Sequence, residues 1–313
     1  MDIAVLNSRI YWQFLTVVLG VLSTGGATIA IAQRVLQKEL GGVNRTFRSW
    51  LLMAPWPFVA ILFGRDAVIG LGLILSCLMF REYAAATGLC RDKPMQWLVI
   101  LAMLLQAGIT FVTDPRILSP GWYGMFMTFP VYAICAISIL PVLRNRAEGQ
   151  LKSVSLAVFG YLYFGWMFGH LTFLANSRNA TGYLLYLFFA VSVADVAAFT
   201  CGNLFGKRKL RDGISPNKTV AGAIGAFTVS MALPWLLAFA LPDFSIVEKL
   251  LTGLIIGIGG SLGDLTISYI KRDVGIKDMG TLIPGHGGLL DRMDSLIFTA
   301  PLFFHMIRWF HGI

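Results

Sequence analysis

Apolar residues fill long, nearly unbroken stretches of this chain, separated by short polar breaks. A helix needs roughly 20 such residues, at 1.5 Å rise each, to cross the hydrocarbon of a bilayer. Runs near 10–32, 95–112, 123–143, 154–174, 183–201, 219–241, 249–270 and 295–311 meet or approach that length. The stretch 50–80 is apolar except at Gly64-Arg65-Asp66, which predicts two short helices joined by a tight turn. The pattern predicts an all-α, polytopic integral membrane protein with about nine or ten transmembrane helices. All 313 residues are expected to form a single membrane domain.

Composition agrees. Hydrophobic residues make up 57% of the chain and charged residues 13%, with a mean hydropathy of +0.73. A soluble domain would carry about a quarter charged residues. Met1-Asp2 lacks a basic start and the first run is long enough to remain as a span, so no removable leader is expected. The four cysteines are far apart, without a C-x-x-C pair, and imply neither a disulfide nor a zinc site. Nothing suggests a nucleic-acid surface.

Charge changes the picture by its placement. With the amino terminus outside and ten alternating spans, most of the 25 basic residues fall in loops on one side. These loops run from Arg34 to Arg48, Arg81 to Lys93, Arg144 to Lys152, Lys207 to Lys218 and Lys271 to Arg292. The positive-inside rule makes that side cytoplasmic. The first three loops need only set topology and touch lipid heads. In the last two the bases interleave with acids, glycines and prolines, and candidate chemistry begins there.

Ionisable residues inside spans are functional candidates by default. Asp195 lies in an apolar run several residues before the Lys207 loop, and Asp264 lies seven residues before Lys271. Each is about 10 Å below its loop at helical rise. Asp264, Ser268, Lys271 and Arg272 fall at i, i+4, i+7 and i+8, one helix face. Asp291 and Asp294 are spaced i, i+3 around Arg292 at the entry to the last span. Convergent carboxylates among lysines and arginines suit phosphoryl chemistry with Mg²⁺, which takes carboxylates plus substrate phosphates. Pro284-Gly285-His286-Gly287-Gly288 has little side-chain bulk, so its backbone amides can approach phosphate oxygens closely. His286 is either a ligand or proton donor, or a hydrogen-bonding residue that holds this loop. No G-x-x-x-x-G-K-[ST] occurs, which excludes a Walker-type phosphate loop.

Together these residues resemble the signature of phosphatidate cytidylyltransferases, also called CDP-diacylglycerol synthases. The resemblance runs through Ser268-Tyr269-Ile270-Lys271-Arg272, Lys277-Asp278, Pro284 to Gly288 and Asp291-Arg292-Met293-Asp294-Ser295. A second block, Asp195, Phe199, Gly202, Phe205-Gly206-Lys207, Lys209 and Ser215-Pro216-Asn217-Lys218-Thr219, is similar to the same family. It covers about 195–295, so 183–313 is read as the catalytic helices and loops and 1–182 as variable amino-terminal helices. The resemblance implies a reaction of CTP with phosphatidic acid and a homodimer in a membrane, here expected to be the bacterial inner membrane. Its site would open to the cytoplasm. Asp264 and Asp291 match the metal-holding aspartates, for Mg²⁺ and a second monovalent or divalent cation, and with Lys271 they form the expected catalytic set. Ser268 and Arg272, with Lys271, match residues lining the nucleotide phosphates, and Lys207, Lys209, Ser215 and Lys218 match a basic loop that engages substrate phosphates. Asp195, Lys277, His286, Arg292 and Asp294 complete the expected substrate site.

The chain also departs from the pattern. Ala221 and Ile267 stand where glutamates are usual, and Phe199 where tyrosine is frequent. A divergent branch is expected. Two rivals fit part of the pattern: a transporter of an anionic lipid or nucleotide, and a catalytically weak member acting on another lipid phosphate. No similarity between the two halves supports the transporter. Asp212-Gly213 continues as Ile214-Ser215, which lacks the pattern of CDP-alcohol phosphatidyltransferases.

Overall fold

The computed structural model describes residues 2–35, 47, 50–116, 118–280 and 287–312. Among the described residues, ten helices carry the architecture. They are α1 (Arg9–Val35), α2 (Pro55–Leu62), α3 (Arg65–Thr87), α4 (Lys93–Phe111), α5 (Tyr123–Leu143), α6 (Gln150–Asn176), α7 (Ala180–Phe205), α8 (Val220–Leu236), α9 (Ile246–Asp273) and α10 (Leu290–His311). Among the described residues, seven helices are long and apolar enough to cross a membrane: α1, α3 to α7 and α9. The protein is an integral membrane protein.

Local sequence explains the breaks. Gly64 adopts φ +89° between α2 and α3, the turn expected at Gly64-Arg65-Asp66. The helix after that turn is longer than expected. Ala84-Ala85-Ala86, strong helix formers, carry α3 past Arg81 and Glu82 until Gly88 ends it in a left-handed conformation. Arg81 is therefore a helix residue, not a loop residue. Asp92 caps α4 by accepting from the Met95 amide at 3.4 Å.

Two spans contain a wide π turn, Tyr161–Met167 in α6 and Ile255–Gly259 in α9. The core lies along α10. Ile297, Thr299, Ala300, Phe303, Phe304 and Ile307 are fully buried against α6, α7 and α9. Its charges, Asp291, Arg292 and Asp294 at one end and Arg308 at the other, explain why this 22-residue helix falls outside the seven apolar spans.

One element interrupts the all-helical expectation. The basic loop after α7 folds as an antiparallel hairpin of β1 (Lys209–Arg211) and β2 (Ser215–Thr219), with Lys209 opposite Thr219 and Arg211 opposite Ser215. The Asp212-Gly213 turn allows it.

Candidate active site

The site forms at one end of the bundle, where α7 leaves, the hairpin folds back, α8 begins, α9 ends and α10 starts. Small residues make this crowding possible. A Cβ on Gly222 would lie 2.6 Å from the Ala198 carbonyl, and one on Gly225 would lie 2.5 Å from Cys201 Sγ. So α7 and α8 touch backbone to side chain, as in close-packed membrane helices. The Thr219 hydroxyl accepts from the Gly222 amide at 3.1 Å and fixes the start of α8. From the other side, Arg272 Nε donates to the Ile214 carbonyl at 3.3 Å, strapping the hairpin turn to α9.

The strapped hairpin delivers Lys218 to Asp264. Its ammonium lies 2.6 Å from Asp264 Oδ2, is shut off from solvent, and has no aligned hydrogen-bond acceptor among the described residues. Ser268 Oγ donates to the other oxygen, Asp264 Oδ1, at 3.3 Å, as the i, i+4 spacing predicted. Gly263 seats this carboxylate close to α10, because a Cβ there would press on the Asp294 carbonyl and lie 3.1 Å from Ser295 Cα. Ser295 then joins two more acids. Its hydroxyl donates to Asp195 Oδ1 at 3.4 Å and its amide to Asp294 Oδ1 at 2.8 Å. Asp195, Asp264 and Asp294 lie within electrostatic reach of one another, and Lys218 and Arg292 offset part of their charge. Asp195 keeps exposed surface.

Asp291 belongs to a second cluster. Lys271 Nζ lies 2.7 Å from its Oδ1, and the side chains are 12% and 6% exposed, so this is a buried ion pair. Asp291 Oδ2 accepts from the amides of Met279 and Gly288, each at 2.9 Å. On the far side of these residues, Glu82 of α3 accepts from the amides of Leu289 at 3.0 Å and Leu290 at 2.9 Å.

The expected stripe on α9 therefore divides. Asp264 and Ser268 face Lys218, Lys271 faces Asp291, and Arg272 reaches the hairpin turn. Lys207, Lys209 and Lys277 are exposed without ion pairs among the described residues, Ser215 is half-buried, and Arg292 is exposed. His286, with Pro284 and Gly285, lies outside the described residues. Ile267 is fully buried and packed in the apolar core. Glu82 was missed because Arg81-Glu82 reads as the start of a loop.

The donor set answers differently for the two aspartates expected to hold a metal. Asp264 is part-exposed, has a hydroxyl beside it and two further acids nearby, and fits a magnesium ion that keeps open positions for phosphates and water. Asp291 fits less well: its carboxylate is 6% exposed and holds three donors, the Lys271 ammonium and two amides, where Asp264 is 35% exposed and holds two. Among the described residues, no three carboxylate, imidazole or thiolate groups are close enough to hold one ion.

A cluster of acids and shielded lysines at one end of a helical bundle defines an integral membrane protein with a built polar site. Comparison with known proteins supplies its family. The profile described as the cytidylyltransferase family matches residues 44–310, well beyond the 195–295 blocks. The chain belongs to that family, and membership makes it a nucleotidyltransferase. It is 31% identical over 282 residues to a protein of Escherichia coli (strain K12) called "Uncharacterized protein YnbB", covering 88% of this chain and 91% of the relative. It is 35% identical over 205 residues to a phosphatidate cytidylyltransferase of Staphylococcus haemolyticus, covering 65% of this chain and 74% of that enzyme. A Staphylococcus aureus (strain COL) phosphatidate cytidylyltransferase is 32% identical over 212 residues, covering 66% and 79%. These distances fit the divergent branch expected from Ala221 and Ile267.

Proposed function

We propose that this protein transfers the cytidylyl group of CTP to phosphatidic acid, releasing pyrophosphate and leaving CDP-diacylglycerol in the membrane. It rests on one observation above others: Asp264, set within a span, faces the shielded ammonium of Lys218 with Ser268 beside it. The phosphatidate cytidylyltransferases among the relatives support the choice of acceptor. In the step itself, a phosphate oxygen of phosphatidate attacks the α-phosphorus of CTP. The new P–O bond forms as the bond from the α-phosphorus to the bridging oxygen breaks, and that oxygen leaves on pyrophosphate. A phosphate oxyanion is already nucleophilic at neutral pH, so the residues chiefly orient substrates and offset charge. Lys218 has hydrogen-bonding capacity left for a phosphate oxygen, and the exposed Lys207 and Lys209 extend the cationic surface outward. Magnesium held at Asp264 would supply charge neutralisation on the reacting phosphates.

Among the described residues, the end of α3, the Lys207–Lys218 hairpin and the end of α9 meet at the site's end through the Glu82 and Arg272 contacts, which supports placing it at the cytoplasmic face of a bacterial inner membrane. There one soluble and one lipid substrate can meet. We take the working unit to be a homodimer.

The test supplies purified protein with radiolabelled CTP, dioleoyl phosphatidate and Mg²⁺, and follows label into extractable lipid. Wild type is expected to label the lipid, and Asp264→Asn to lose at least 100-fold of that rate, the scale of removing a group that stabilises transition-state charge. Equal labelling by both would remove Asp264 from the site. No labelling by wild type with phosphatidate, at any divalent metal tried, would overturn the proposed reaction.

A further inference from the structure

We propose that Glu82 is a positioning residue for this site, acting from the amino-terminal half of the chain. The inference rests on the reaction proposed above for its catalytic readout, but the geometry stands alone. Glu82 sits near the end of α3, and its two carboxylate oxygens each take one backbone amide at the start of α10, those of Leu289 and Leu290. The first amides of a helix have no partner within it, and an anionic acceptor there also complements the positive helix end. No side chain of α10 supplies that cap.

The contact is built to be close. A Cβ on Gly280 or on Gly288 would collide with the Glu82 carboxylate, so both flanks of residues 281–286 press against it as bare backbone. On the inner side Asp291 takes the amides of Met279 and Gly288. The segments around 279–280 and 287–290 are thus held between two carboxylates, Glu82 outside and Asp291 inside. Immediately beyond this clamp, the first turns of α10 carry the site: Asp291 paired with Lys271, then Asp294 and Ser295, the latter bonded to Asp195. Glu82 touches none of the reacting groups, yet it fixes the helix start that aims them. A displacement of about 1 Å at reacting groups can cost about 100-fold in rate.

The experiment compares wild type, Glu82→Gln, Gly280→Ala, whose methyl would meet only Glu82 side-chain atoms at close range, and the double variant in lipid nanodiscs. Amide hydrogen exchange is read over 286–292, together with kcat, the KM for CTP and the melting temperature. The glutamine amide turns a donor toward a backbone N–H, and the alanine methyl pushes the carboxylate away, so each breaks the same clamp. Each single variant is expected to speed exchange at 286–292 and to lower kcat by about 10- to 100-fold with KM within about threefold. The double variant should be no slower than the worse single, because both remove one interaction. Unchanged exchange in Glu82→Gln would overturn the clamp. Faster exchange with unchanged kcat would overturn the positioning role. A kcat loss matched by loss of folded protein, seen as a lower melting temperature and faster exchange throughout the chain, would make Glu82 a stability residue only. Exchange reports the clamp even if the wild type fails to use CTP and phosphatidate, so failure of the reaction is told apart from failure of the inference.

Discussion

Lys271 is expected from sequence to touch nucleotide phosphate, but its ammonium is already 2.7 Å from Asp291 in a buried pair. Replacing it with methionine keeps the stem volume and removes the charge. Breaking a buried pair from one side costs about 3–5 kcal/mol, because the remaining charge is left uncompensated. Asp291 keeps two amide donors, so the lower figure, about 3 kcal/mol, applies here. At about 2 °C per kcal/mol for a chain of this size, Lys271→Met should melt roughly 6 °C below wild type. Adding Asp291→Asn should recover most of that loss, since the asparagine oxygen still accepts both amides and no charge remains buried. The assay is thermal unfolding of the detergent-solubilised protein, read by tryptophan fluorescence for wild type, both single variants and the double. Two results would refute the reasoning: Lys271→Met melting within about 1 °C of wild type, or a double variant melting no higher than Lys271→Met. Either would mean that Lys271 is not committed to Asp291 in the folded protein and is free to serve a ligand.

Two more outcomes are expected from the same geometry. Lys218→Gln should raise the KM for CTP about tenfold, the scale of losing one charge-assisted hydrogen bond, while melting within a few degrees of wild type because the Asp264 carboxylate left behind is 35% exposed and keeps the Ser268 hydroxyl; steady-state kinetics and the same melts check both parts. Gly263→Ala should destabilise by about 1–3 kcal/mol, since the methyl meets Phe298 Cβ at 2.9 Å and must push α9 from α10, and an unchanged melting curve would show that the two helices are not in close contact there.

Much of the fold was legible because span length and turn chemistry are local properties. The Gly64 turn, the charged entry to α10 and the Asp264–Ser268 spacing each appear where the residues put them. Two departures share a cause, the continuation of regular structure through polar residues. Arg81-Glu82 reads as a loop, but three alanines extend the helix through it. The Lys207–Lys218 loop reads as irregular, yet a two-residue polar turn lets its arms pair as strands.

The chain by itself determined that this is a helical membrane protein whose acids and bases crowd into its last third, because hydrophobic length and charge cost in lipid depend on residue type alone. Motif spacing also carried the family resemblance. Only the tertiary structure decided which charge meets which. Lys271 and Arg272 are neighbours in sequence, yet a 100° step around α9 sends one to Asp291 and the other to the hairpin. Asp264 and Asp291, both expected at the metal, sit on different helices and pair with different lysines, Lys218 and Lys271. Glu82 reaches the site from more than 200 residues away in sequence, a contact that packing of α3 against the start of α10 creates and that no local pattern encodes.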